Sequence, residues 1–459
     1  MASVSSADVL QLFKRVYGDL RDLIKDDNEL AKRIPFSAKA RVGDSYQETI
    51  ALAQEGGITF SSSDSAFSLN PARAGAVIQS SIKPNVSVLA SVVPWSTISR
   101  SSSGGDRAFF EATKWIVKSN IKSHQKFQEV IRLYGRSPDL LGYQSNYTGN
   151  YRGAALVAGT GTVTNSSGVG ILFTSGRCIG TGANGIPVGQ TAILLGPGSF
   201  CAGFFVGMEG TRLEQVDVAG NVVAAGSIVS CDVTGSYVVV DFAALAAGAS
   251  VPADPLTLKS SLRLAYQGMA QGGDSLGVQA ILQTRGDLFG IDNTRYSLWQ
   301  GSTTDCAHAS KLSLQVIQDA VAQMTNQSGS DGDMVAFCNP RSWANMSNSD
   351  AALRYYDSSY SQSRDEAGWE AIQYFSQSGK IEIRPSRLLK EGDCFIMKND
   401  TWIRSGSSDV SFQVPGMDEK LIFPLIDQAG FCFRSYSDQY LFCHAPSSNI
   451  YISRINDEL

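Results

Sequence analysis

The stretch from Asp106 to Tyr134, DRAFFEATKWIVKSNIKSHQKFQEVIRLY, constrains the chain more than any other. A Ser-Gly-Gly turn opens it at Asp106 and Gly135 with Pro138 closes it, so the punctuation predicts one helix over 106–134. At about 1.5 Å per residue that is a rod of roughly 43 Å. Its apolar stripe is Phe109, Ala112, Ile116, Phe127, Val130, Ile131 and Tyr134. On the opposite face stand Lys114, Lys118, Lys122 and Lys126, each four residues from the next. Like charges so spaced repel by about 0.2–0.5 kcal/mol per pair, so either water solvates this ridge or phosphate or an acidic protein surface faces it.

The whole chain of 459 residues, about three ordinary domains by length, is 43% hydrophobic, enough for a substantial core. Charged residues are 18%, below the roughly 25% usual for soluble domains, and such a surface is expected to be covered in part by other chains. The net charge of −5 excludes a global basic field, so any nucleic-acid contact must be local. The N-terminus lacks the apolar core of a signal peptide, and no run approaches the ~18 apolar residues of a membrane span. An unexported, non-spanning protein is therefore expected. For such a protein the sequons at Asn146, Asn165 and Asn399 and the terminal Asn-Asp-Glu-Leu459 are coincidental. The eight cysteines are scattered without a CxxC pair, which points to buried, reduced thiols.

Along the chain, residues 1–35 carry one helical apolar stripe (Val9, Leu10, Phe13, Val16, Leu20, Leu23, Ile24, Leu30) that Pro35 ends. From Lys39 the pattern turns to strand, with a turn at Gln54–Gly57 and a return strand ITFSSSDSAFSL. This hairpin is Ser-rich on its faces and buries little within itself, so it is expected to rest on another subunit. Residues 150–260 form a nearly uncharged island of short Val/Ile/Ala runs between Gly turns, read as β-rich. A second helix is expected over Ser310–Met324, then a strand DMVAFCNP, then an Asp/Ser/Tyr-rich loop. The last hundred or so residues alternate as strands again.

Chemistry is scarce. Gly180-Thr-Gly-Ala-Asn-Gly185 matches GxGxxG, but Ile186-Pro187 follows at once and leaves no room for the helix that holds pyrophosphate. The three histidines, His124, His308 and His444, do not pair with cysteines at zinc spacings. Asp331-Gly-Asp333 lacks the closing Glu of a calcium loop, and HExxH and Walker patterns are missing. No catalytic, cofactor-binding or metal residues are therefore assigned. In QTRGDLFGIDNTRYSLWQGS (283–302), Arg285-Gly-Asp287 would be an adhesion ligand only outside a cell. More telling is the turn at Phe289-Gly290 with Ile291, Asp292, Tyr296 and Trp299 after it.

In this order these pieces resemble the tailed-phage major capsid proteins of the Hong Kong 97 type. The residues carrying the resemblance are the helical N-terminus, the hairpin and the long helix. To these are added Phe289-Gly290-Ile291-Asp292 with Tyr296, Trp299 and Gly301, Asn339-Pro340 with Trp343, and the final QYLFCHAPSSNIYISRI. The resemblance implies an α+β fold with an N-terminal arm (1–38), an extended hairpin loop (39–75) and a peripheral domain (76–284) built on the spine helix 106–134. It further implies an axial domain (285–395) and closing peripheral strands (396–459), with 150–260 as an insertion. The turn through Phe289, Gly290, Asp292, Tyr296 and Trp299 would lead into the axial domain.

The resemblance implies a self-assembling shell protein and no enzyme. Pentamers and hexamers of this chain would form an icosahedral virion around double-stranded DNA, with scaffolding and portal proteins as partners and assembly in the host bacterial cytoplasm. The lysine ridge would face that DNA or a protein partner. The N-terminal arm is too short to include a fused scaffold, and no Lys-Asn cross-link can be matched. Two other classes fit the residues: a tail or fibre component, and a cytosolic enzyme whose site is not contiguous in sequence.

Overall fold

The computed structural model describes residues 28–37, 45–62, 66–94, 106–138, 140–182, 184–217, 219–241, 259–269, 275–329, 331–354, 372–376, 379–412, 422–424 and 429–457. Three large sheets organise them, and the main apolar cluster lies where the three meet. The long helix spans Asp106–Tyr134. Its C-terminal end is sunk in that cluster through Val130, Leu133 and Tyr134. Gly135 stops it where a Cβ would stand 2.1 Å from the Ser275 carbonyl, so only glycine permits the chain to cross there.

The helix lies on a sheet in which strand Asn85–Pro94 pairs antiparallel with Gly430–Cys443, which pairs in turn with Trp402–Ser411. Residues Phe36–Ser37 add to the far edge, parallel to Arg404–Ser405. Just before them is a short helix, Glu29–Arg33, whose Leu30 and Ala31 amides donate to the Glu129 carboxylate of the long helix at 2.5 and 3.3 Å. The described part of the N-terminal segment is thus bound to its own chain. Most of the helical stripe falls on residues 1–27, outside the described residues.

The hairpin differs from its sequence reading. Tyr46–Ala53 pairs with Ala76–Ile82, not with the Ser-rich stretch after Gly57. The apolar pairs Tyr46–Ile82 and Ile50–Ile78 give the observed register partly covered faces, whereas ITFSSSDSAFSL has no face that its partner strand could bury. That stretch instead extends the arm, bridged at Gly56–Arg73 and by Asn70, whose side chain donates to the Ile58 carbonyl at 2.8 Å.

The 150–260 island supplies most of a seven-stranded sheet, completed by Lys259–Tyr266 and Gly142–Ser145, together with the hairpins Gly149–Leu156 and Gly161–Phe173. Its GxGxxG segment is a turn between Arg177–Ile179 and Thr191–Leu194, with Gly182 and Gly185 at φ 77° and 80° and the Asn184 amide bonded to the Ile179 carbonyl.

A six-stranded sheet runs in the order Ser302–Asp305, Ile450–Ser453, Cys394–Met397, Met334–Cys338, Gly379–Pro385, Ile372–Ser376. Its central strand MVAFC is buried throughout, as the continuous apolar run of a doubly covered strand requires. Three expectations are corrected here. The second helix runs Leu314–Ser328, because the Ser313 hydroxyl caps it at the Val316 amide and Gly329, at φ 60°, ends it. The expected loop after Asn339 begins instead as a helix, Pro340–Arg354, with Asn339 accepting from the Arg341 amide and Pro340 in the first turn. The closing strands do not all join one sheet: Ile450–Ser453 crosses into this one, where its fully buried isoleucines fill the apolar cluster.

Candidate functional site

Within residues 283–302 the chain folds as a two-residue hairpin, Asp287–Leu288 against Ile291–Asp292, around Phe289 and Gly290 at φ 56° and 83°. That turn demands a left-handed backbone at both positions, which costs a phenylalanine on the order of 1–2 kcal/mol. Aromatic packing offsets it. The Phe289 ring lies 4.8 Å from Phe442 and 6.3 Å from Trp299, and the Trp299 indole donates to the Leu288 carbonyl at 3.0 Å. The Asp287 carboxylate accepts from the Gly290 amide at 2.8 Å. Asp292 is bonded by the Thr294 hydroxyl and amide, which hold its carboxyl below the usual range. Tyr296 is half-buried against the same cluster. Arg-Gly-Asp is absorbed into this scaffold: Arg285 donates to the carbonyls of Leu282, Thr284 and Gly301.

What the turn holds is the foot of the hairpin arm. The Ser81 amide of the arm donates to the Phe289 carbonyl at 2.8 Å. The Tyr46 ring packs at a tilt 4.9 Å from Phe442 and 5.6 Å from Tyr440. Glu48 of the arm meets His444 at 2.5 Å and accepts from the Tyr46 hydroxyl at 3.1 Å. Burial first, then that carboxylate, push the Tyr46 hydroxyl well above its ordinary pKa. Immediately after Trp299 the chain enters the six-stranded sheet at Ser302. The turn therefore joins the arm, the closing strand and that sheet.

The other end of the arm is bare. Ile58, Phe60 and Leu69 are 71%, 85% and 77% exposed, with Phe67 at 50%. Four large apolar side chains on one loop form the kind of patch that soluble monomers keep small.

Of the lysine ridge, Lys118 is exposed, Lys122 and Lys126 are half-buried, and the Lys126 ammonium donates to the Val206 carbonyl at 3.3 Å. Lys114 is in the helix, with its side chain outside the described residues. The ridge is thus not one uniform solvated row. A second four-residue spacing lies on the same helix: Asn120, His124, Gln128 and Arg132 are all buried and face the sheet. Asn120 donates to Ser91 at 2.7 Å, His124 bonds Ser87 and Ser435 at 2.8 Å each, and Arg132 donates to Gln439 at 3.1 Å. The available signal was the serine alternation in the two strands, Ser87 and Ser91 in one, Ser435 and Ser437 in the other.

Eight free cysteines are present, seven buried and Cys231 half-buried; burial raises the thiols of Cys201, Cys394 and Cys443. Among the described residues no group of His, Cys, Asp or Glu could hold a metal ion, and no helix is long and apolar enough to cross a membrane.

No protein-family model matches the sequence, and no curated protein does. Among solved structures the chain is similar to the capsid asymmetric unit of cyanophage A-1(L), with a TM-score of 0.50, 9% identity and 95% of each chain covered. It is also similar to the capsid of a native GTA particle, with a TM-score of 0.45 and 7% identity over 96% of this chain and 94% of that one. For the capsid of Myoviridae phage XM1 the TM-score is 0.43, at 6% identity over 95% of each chain. The fold is α+β, of the Hong Kong 97 capsid type.

Proposed function

We propose that the chain is the major capsid protein of a tailed phage, a structural protein without a catalytic task. Copies of it close into an icosahedral shell of pentamers and hexamers around double-stranded DNA. The observation that carries this reading is the extent of the likeness to a cyanophage capsid subunit, 95% of both chains. The bare apolar arm tip and the 18% charge content support it, because both describe a subunit that neighbours cover.

In this reading residues 285–395 together with Ile450–Ser453 form the axial domain that meets its copies at ring centres, as head-to-tail contacts that close. The arm lies over a neighbour and gains there the burial its own strands do not provide. Residues 1–27 reach a further copy. Scaffolding and portal proteins assist, and assembly takes place in the host cytoplasm before the virion is released. The Lys114, Lys118, Lys122 and Lys126 ridge neutralises DNA phosphates without reading sequence.

Electron microscopy of the purified protein tests the reading. Closed shells support it, and a stable monomer under all conditions overturns it. For the ridge, all four lysines are replaced by Gln. Normal shells that lose DNA are expected, whereas failed shell assembly would assign the ridge to an acidic protein partner.

A further inference from the structure

The long helix carries one side chain whose hydrogen-bond partners specify a charge state. His124 is 2% exposed, and each ring nitrogen stands 2.8 Å from a hydroxyl, Nε2 from Ser87 and Nδ1 from Ser435. The Ser435 hydroxyl donates to the Leu89 carbonyl, so it accepts from Nδ1–H. The Ser87 hydroxyl accepts from the Gln128 amide at 2.5 Å and, with its one hydrogen turned to Nε2, makes both bonds at once around an unprotonated Nε2. The donors and acceptors therefore close around one neutral tautomer. A proton on Nε2 removes the acceptor of the Ser87 hydroxyl hydrogen and places a charge where water does not reach.

The charged groups around this pocket are already balanced. The helix itself brings Glu129 and Arg132, an ion pair at 2.9 Å. Strand Asn85–Pro94 brings no charged residue, and the sheet residues facing the helix, Ser435, Ser437 and Gln439, are neutral. Trp402–Ser411 brings Arg404 and Asp409, paired at 2.8 Å. Two cations face two anions, so an imidazolium would be a third cation. Burial, and then Arg132, accordingly hold the His124 pKa down at about 4.

The bonds continue from His124. Ser87 leads to Gln128, Gln128 to Gln439, Gln439 to Arg132, Arg132 to Glu129, and Glu129 to the amides of Leu30 and Ala31. We propose that His124 is a proton-operated latch. Its neutral ring holds the long helix and the N-terminal segment 28–33 on the sheet, and a second ring proton releases them. The latch rests on the fold and its contacts alone and stands whether or not the chain forms shells.

Amide hydrogen exchange of the full-length protein, corrected for the intrinsic pH dependence of exchange, tests it. Between pH about 7.5 and about 5.5, linkage from the ordinary histidine value to the depressed one increases opening about tenfold. That increase is expected in strand Asn85–Pro94 and in helix residues 117–128, and not in the core strands Met334–Cys338 and Cys394–Met397. His124→Asn and His124→Gln are expected to abolish the pH dependence. An unchanged wild type overturns the latch, as does an equal increase in the core strands, which would be global acid unfolding. Variants that keep the wild-type pH dependence overturn it as well. Should neither variant fold, the wild-type contrast between the helix–sheet amides and the core strands decides alone.

Discussion

The two ends of the hairpin arm are built on opposite terms. At the foot, Tyr46, Phe289, Trp299 and Phe442 interlock, and the arm's backbone bonds directly to the aromatic turn. At the tip, Ile58, Phe60 and Leu69 are each more than two-thirds exposed. A chain that wanted only a stable monomer would bury the tip or make it polar. This one fixes the foot rigidly and leaves apolar side chains at the far end, which is the division expected of an element that is positioned by its own subunit and covered by another.

The sharpest way to break the comparison is at the foot. Trp299→Ala removes a fully buried aromatic and is expected to cost about 3–5 kcal/mol of stability, read by denaturant unfolding. A loss under about 1 kcal/mol would mean that the foot is not a packed anchor.

Acidification comes next, through the sheet whose strand 430–443 carries both Phe442 and the His124 partner Ser435. The folded-state pKa lies below the ordinary value, so stability is intact above pH 6.5 and is lost as pH falls through the window from 6.5 to about 4. The total is about 3 kcal/mol, at 1.36 kcal/mol per pH unit. Hydrogen exchange at the helix–sheet amides of the wild type beside His124→Asn checks it, since only the wild type should open more readily there across that window.

Gly290→Ala is smaller. A Cβ there meets nothing within 4 Å, so the expected loss, about 1 kcal/mol, is purely the cost of φ 83° to an L side chain. At the tip, Phe60→Ser with Leu69→Ser should move subunit stability by no more than about 0.5 kcal/mol while abolishing association. Destabilisation comparable to Trp299→Ala would show that the tip is packed on its own subunit.

Much of this was legible in the residues. The long helix has hard stops on both sides, Gly-Gly at 104–105 and Gly135, and nothing tertiary moves them. The aromatic turn was readable because Phe-Gly with a following Trp permits few alternatives. What it holds was not readable, since Phe442 and Ser81 lie far from it in sequence. The helix at Pro340 was missed because Asn-Pro ends a strand as readily as it caps a helix. The polar face of the long helix was missed for a related reason. Asn120, His124 and Gln128 at four-residue spacing look like a solvated stripe until serines from two distant strands are brought against them. The six-stranded sheet collects strands from Ser302 to Ser453, and so non-local an order leaves no trace in local periodicity.

The most direct test images the purified wild-type protein beside the Phe60→Ser, Leu69→Ser variant by electron microscopy. The account predicts closed shells for the wild type and folded, unassembled subunits for the variant. A wild type that stays monomeric in every condition, or a variant that closes shells equally well, would contradict it.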